Sequence, residues 1–168
     1  MSGSSERTSY IVLAIVGFLL LMLALVAFVS MSKTDRREEC RLHLMSVIMT
    51  VQSSSPADAE AWDRVATGRR FFSDLAHWPA RSPRELDQKT FTCPVLGRSP
   101  GGLDPANIDY RGPIKSIRNL QTTDVLAADR IGNHGPREGG NVLLRGGDIQ
   151  AVGEDDVAWA KAATTTSD

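Results

Sequence analysis

The reactive side chains of this sequence are few. Cys40 and Cys93 are its two thiols. They lack Cys-x-x-Cys spacing, which leaves three readings: a disulfide, two buried core thiols, or a redox pair, with redox catalysis the least indicated. A bond between them would close the loop over residues 40–93 and stabilise the fold by about 4 kcal/mol in the chain-entropy picture. His134 stands between Asn133 and Gly135, a short way after Asp129. A metal centre needs at least three converging ligands, and Asp129, His134 and Asp148 show no spacing that joins them. The imidazole is expected to hydrogen-bond backbone and fix a Gly-rich turn.

Other candidate chemistry is weaker still. Gly101-Gly102 and Gly139-Gly140-Asn141 match neither a phosphate loop with its Lys-Ser/Thr nor a Gly-x-Gly-x-x-Gly, so they read as turn glycines. Asp104, Asp109 and Asp148 lack the ligand cadence of a calcium loop. No Ser-His-Asp order or paired-carboxylate pattern stands out. The expectation is therefore no catalytic residue, no metal and no cofactor. Nineteen Lys and Arg against 20 Asp and Glu leave a formal charge of −1, without the basic excess of a nucleic-acid binder.

The elements that must position these residues begin with an uncharged apolar run over 11–29. As a helix it rises about 30 Å, a bilayer's hydrocarbon thickness. It exceeds an ordinary signal-peptide apolar stretch and no Ala-x-Ala site follows, so a retained anchor over 10–31 after a short leader, 1–9, is expected. Lys33, Arg36, Arg37 and Arg41 follow the run and only Arg7 precedes it. That count favours a cytoplasmic C-terminal side, whereas a disulfide would favour an oxidising compartment. Past the anchor, Cys40, Leu44, Val47, Ile48 and Val51 recur at helical spacing, and no Pro or Gly interrupts the chain between Phe18 and Ser55. An amphipathic stalk helix over 32–54 should continue the anchor.

The rest, 55–163, should be an α+β head. Ser55 and Pro56 suit the cap and first position of a second helix to about Trp78, with Trp62, Phe71, Phe72 and Trp78 as core and His43 and His77 facing solvent from their helices. Short β-favouring stretches follow at Thr90–Val95, Ile108–Tyr110, Thr123–Ala127, Asn141–Arg145 and Asp148–Val152. The last two flank Gly146-Gly147, a two-residue hairpin connection. Glu154-Asp155-Asp156 leads into a short helix ending near Ala162, and 164–168 reads as a disordered tail.

Several short motifs come in a telling order: Arg37, Cys40 and Leu44; Phe91, Cys93 and Pro94; Asp109, Tyr110, Gly112 and Pro113; then Asp129, His134, Gly140, Asn141, Val142 and Leu143. With the apolar N-terminal helix, this set resembles type IV pilin-like proteins close to the type II secretion pseudopilins, in particular the bacterial group with a C-terminal His-X9-Asp-Gly motif. The resemblance implies a pilin-like α+β fold, a long N-terminal helix on a small antiparallel sheet. It further implies a non-enzymatic structural subunit of an envelope filament or secretion-type assembly. The protein would sit single-pass in a bacterial inner membrane, head periplasmic or extracellular, and associate with its own kind or with other envelope or pilin-like proteins. Asp129, His134, Asn141, Gly146 and Gly147 would be structural motif residues, and Cys40 and Cys93 would be bonded. The sequence also departs from the family. No Gly-Phe cleavage junction occurs in Ser4–Ile11, nothing in 11–29 ionises, and Gly146 stands where the family has Asp. These departures give the alternative reading of a non-polymerising extracytoplasmic binding or sensing module on an uncleaved anchor.

Overall fold

The computed structural model of the protein describes residues 3–53, 62, 64–77, 86 and 88–167. The N-terminal segment is one α-helix, α1 (Gly3–Ser53), as the uninterrupted run of good helix formers requires. The chain divides into two compact units, the first ending at Asp35 and the second beginning at Arg36. In the first unit α1 is long and apolar enough to cross a membrane. Leu19, Leu20, Leu21, Leu23 and Phe28 are all exposed there, an apolar surface on every side that water would disfavour and lipid would accept.

The second unit is an α+β fold built on a five-stranded antiparallel sheet. Its strands are β1 (Tyr110–Pro113), β2 (Val125–Asp129), β3 (Gly140–Leu144), β4 (Ile149–Val152) and β5 (Thr166–Ser167), in the order β4-β3-β2-β1-β5. Among the described residues its longer helices include the part of α1 from Arg36 on, α2 (Arg70–Ala76) and α3 (Val157–Thr165). On one face of the sheet Leu44, Val47, Ile48 and Val51 of α1 join Phe71, Phe72 and Leu75 of α2, Leu126 of β2 and Leu143 of β3 in a single core. On the other, Trp159 and Ala162 of α3 cover Val125, Ala128 and Val142. Val142 and Leu143 point to opposite faces, as the pleat dictates. With both faces covered, all five residues of β2 are buried, although an irregularity between Val125 and Ala127 interrupts its register with β3.

The amphipathic stripe emerges as expected, with Cys40, Leu44, Val47, Ile48 and Val51 all buried. Several expected elements differ. Thr90–Val95 is not a strand but two short helical turns, Gln88–Phe91 and Pro94–Leu96. Pro94 has no N–H for a ladder, and the Cys93 N–H donates to Asp109 Oδ2 at 3.0 Å instead. The second helix is described only as α2; its expected start at Ser55 and Pro56, and Trp78, lie outside the described residues. Gly68, at φ +64, precedes α2, and a left-handed residue there cannot continue a helix. The hairpin loop is longer than the two-residue connection expected. The Gly147 N–H closes a turn on Leu144 O at 2.9 Å while the Leu144 N–H meets Asp148 O at 2.8 Å. Gly147 takes the left-handed position at φ +103, the three-residue pattern that favours glycine.

The expected loose tail is ordered through Ser167. α3 runs three residues past Ala162, and β5 pairs Thr166 with Pro113 and Ser167 with Gly112. The buried Arg111 guanidinium donates to both Ala163 O and Thr166 O at 2.9 Å. Two backbone carbonyls from the segment 163–166 thus help to meet a buried cation.

Truncating Leu44 to Ala should cost about 2–5 kcal/mol through cavity formation. Leu42→Ala, two positions away on the exposed face of α1, should stay within about 0.5 kcal/mol. Denaturant unfolding of the full-length chain in detergent, followed by tryptophan fluorescence, measures both.

Candidate functional site

Cys40 is the first residue of the buried stripe on α1, and Cys93 precedes the turn Pro94–Leu96. Neither has exposed surface, and their sulfurs lie 2.9 Å apart as unbonded thiols. β2 ends at Asp129, fully buried, and β3 brings Asn141 beside it. The Asn141 backbone N–H donates to Asp129 Oδ2 at 2.6 Å and its side-chain amide donates to the same oxygen at 2.9 Å. His134 comes from the β2–β3 connection, where the Asn133 N–H meets Arg130 O at 3.1 Å and the Asn133 amide donates to Asp109 O at 2.6 Å. Its Nε2 lies 3.1 Å from Asp129 Oδ2. One ring nitrogen of His134 and the two sulfurs all fall within 4.8 Å of one another.

The remaining walls are polar and paired. Tyr110, buried on β1, faces Cys40, and its hydroxyl is 3.2 Å from His43 Nδ1. His43 is therefore half-buried against the head rather than facing solvent, whereas His77 is exposed as expected. Asp109 accepts from the Cys93 N–H and is ion-paired by Arg98. Above His134 lies a cleft of about 290 Å³ lined by Arg37, His134, Glu138, Gly140 and Asn141, among others. Arg37 of α1 and Glu138 are ion-paired there.

The electrostatics separate the two sulfurs. The Cys93 thiol is lowered to about 6: contact with Cys40 favours its thiolate most, burial and the Asp129 charge oppose it, and His134 and the Val95 N–H add support. The Cys40 thiol is pushed far up by that same contact with Cys93, then by burial and by the Asp129 charge. For His134, burial works against the charged ring, but contacts with Asp129 and Cys93 outweigh it and raise it to about 9. Burial raises the Tyr110 phenol well above its ordinary range. A Cys93 thiolate beside a His134 imidazolium, with Cys40 as the neutral thiol, is the charge state this arrangement favours near neutral pH.

Of the motif residues read in the sequence, the fold gathers Cys40, Cys93, Asp129, His134 and Asn141 at one place. Gly146 and Gly147 sit apart in the β3–β4 turn, and the exposed Asp148 there bonds Gln150 Nε2 at 2.8 Å. Asp104 caps the Ala106 N–H. Asp148 and His134 are thus not partners. The set that does converge, Cys40, Cys93 and His134, has the donors a zinc ion uses. Two thiolates at about 2.3 Å from a tetrahedral zinc stand about 3.8 Å apart, however, and these sulfurs are nearly 1 Å closer. The arrangement suits sulfur–sulfur chemistry better than a metal. Sequence reasoning missed the meeting of His134 with the cysteines, and His43 and Tyr110 as their neighbours.

No protein-family model, curated protein or solved structure matches the chain.

The opposed shifts set a pH test on the reduced protein. The raised His134 contributes stability that is complete below about pH 6.5 and is lost as pH climbs through 9. The lowered Cys93 contributes stability that is complete above about pH 9 and is lost as pH falls through 6. Between those limits the two slopes cancel, so reduced wild-type stability should be nearly flat from pH 6.5 to 9. Cys93→Ser removes the opposing slope and keeps that part of the His134 slope which Asp129 supplies. Its stability should fall across that window by an amount on the order of 1–2 kcal/mol, read from denaturant midpoints at each pH.

Proposed function

We propose that this chain is a pilin-like or pseudopilin-like structural subunit of an envelope filament or secretion-type assembly. It is anchored by a single helix in a bacterial inner membrane, with the head on the periplasmic or extracellular side, and it serves as a scaffold rather than an enzyme. The observation that carries this reading is α1. It is one unbroken helix with apolar side chains exposed in its first half and one stripe buried under an antiparallel sheet in its second. An apolar helix exposed on every side suits burial in lipid as a single-span anchor. Further support comes from the Arg37, Cys40 and Leu44 motif. Cys40 and Leu44 are buried against the head, and the Arg37 carbonyl accepts from the Asn141 amide at 3.5 Å.

Under this reading Cys40 and Cys93 are bonded in the exported head. The second reading, a stationary binding or sensing module, draws on the lack of any ionisable residue in 11–29 and of a Gly-Phe junction. Intact mass of the N-terminus in native membranes separates the two: a processed, N-methylated start supports the filament subunit, and a full-length Met or Ser start supports the stationary anchor.

The anchor has neither a small-xxx-small face nor polar side chains, so lipid gives it little specific drive to associate. Association should reside in the uncovered part of residues 33–51 and in the head. Replacing 11–29 with poly-Leu should leave assembly unchanged in cross-linking and native gels. Reversing Arg36, exposed, and Arg41, half-exposed beside Glu38, to Glu should weaken it severalfold. The opposite pattern would move the interface into the membrane and sink this placement.

A further inference from the structure

We propose that Cys93, Cys40, His134 and Asp129 form an oxidation site at which Cys93 attacks a small hydroperoxide and Cys40 then closes the disulfide. The inference does not depend on the assembly reading. It rests first on geometry: a sulfur, an imidazole and a carboxylate in sequence, with a second sulfur 2.9 Å from the first. Asp129 is immobilised by two donors from Asn141, and His134 Nε2 lies 3.1 Å from the oxygen that accepts them. An imidazole so placed can take a proton from the neighbouring thiol and return it to a leaving oxygen.

The two sulfurs are not equivalent. Cys93 meets three groups that favour its thiolate: Cys40, His134 and the Val95 N–H. The Asp129 charge disfavours both thiolates, and Cys40 has only the Tyr110 hydroxyl in support, with no imidazole and no backbone N–H. Cys93 is thus the nucleophile and Cys40 the resolving thiol. The other titratable groups around them are Tyr110 from β1, His43 from α1 behind it, and Asp109, whose charge Arg98 pairs. Arg37 and Glu138 pair with each other over the cleft.

Access selects the oxidant. His134 forms a wall of the 290 Å³ cleft and is itself a neighbour of Cys93. The sulfurs themselves are buried behind that side chain, out of reach of a protein disulfide and open only to a molecule small enough to pass the imidazole. In the first step the Cys93 thiolate attacks one peroxide oxygen and the O–O bond breaks. Cys93 becomes a sulfenic acid, and the departing hydroxide takes the His134 proton to leave as water. In the second step Cys40 sulfur attacks the sulfenic sulfur, its proton leaves with the hydroxyl as a second water, and the disulfide forms. Two thiols lose two electrons and one peroxide becomes two waters.

The test uses the full-length chain in detergent, reduced, freed of reductant and exposed to hydrogen peroxide. Wild type should lose two hydrogens by intact mass without a lasting dimedone adduct. Cys40→Ser should trap dimedone on Cys93, whereas Cys93→Ser should leave Cys40 unlabelled. His134→Gln should slow closure roughly 10- to 100-fold at pH 7. The wild-type rate should be nearly flat above about pH 6.5, and the variant's should climb steeply toward pH 9, a change of profile that a structural role alone would not produce. Should that variant fold poorly, the labelling contrast between the two cysteine variants still decides. Equal labelling of the two cysteines, a wild-type rate no faster than a free thiol's, or one zinc carried through purification with both thiols protected would each overturn the proposal.

Discussion

A carboxylate removed from water must be met by donors or neutralised, and Asp129 is fully buried at the end of a central strand. Its donors come from the next strand, through the backbone and amide of Asn141. That requirement ties β2 to β3 at their open end, and the same oxygen lies 3.1 Å from His134 Nε2. The ring reaches the sulfurs, and one of those sulfurs belongs to α1. The place where the stalk helix joins the sheet is thereby a polar cluster set into an apolar seam. Removing Asp129's donors would cost more than a hydrogen bond, because the charge would remain with nothing to hold it.

The apolar seam supplies the bulk of the adhesion and the polar cluster fixes where it lies. Leu44, Val47, Ile48 and Val51 could slide by a turn along the sheet and still be buried, since hydrophobic contact is non-directional. Cys40 opposite Cys93, Arg37 opposite Glu138, and the Arg37 carbonyl opposite Asn141 cannot slide. These contacts set the register of helix against sheet, a task for which buried polar groups are suited.

What could be read in the sequence was what local chemistry decides. The stripe on α1 follows from a 3.6-residue period, and the β3–β4 hairpin from two runs flanking glycines. Asp156, whose side chain accepts from the Ala158 N–H, announces the start of α3 as a cap should. The misread parts depend on distant partners. Thr90 to Cys93 is buried throughout and looks like a strand, but Phe91 and Cys93 bond Asp109 and Thr92 bonds back to Gln88 and Lys89. The chain end looks loose because two residues of strand carry no pattern, and Arg111, which holds it, is more than fifty residues away. His43 looks solvent-facing because Tyr110 lies 67 positions further on. The site was legible only as separate residues: each was singled out, but nothing local announces that Cys40, Cys93 and His134 converge.

The two sulfurs also bear on how the fold would answer a pull on α1. They are separated by 53 positions in the chain, which at roughly 3.3–3.6 Å per residue is about 180 Å of extensible polypeptide. While they remain thiols, tension drawn along α1 is resisted in shear by the aliphatic seam and its few polar contacts, all non-covalent, and giving way would release that slack. Once they are joined, tension passes from helix to sheet through a covalent link and the slack is locked away. The head then behaves mechanically as a stiff coupling or as a yielding spring, according to the state of a single sulfur pair.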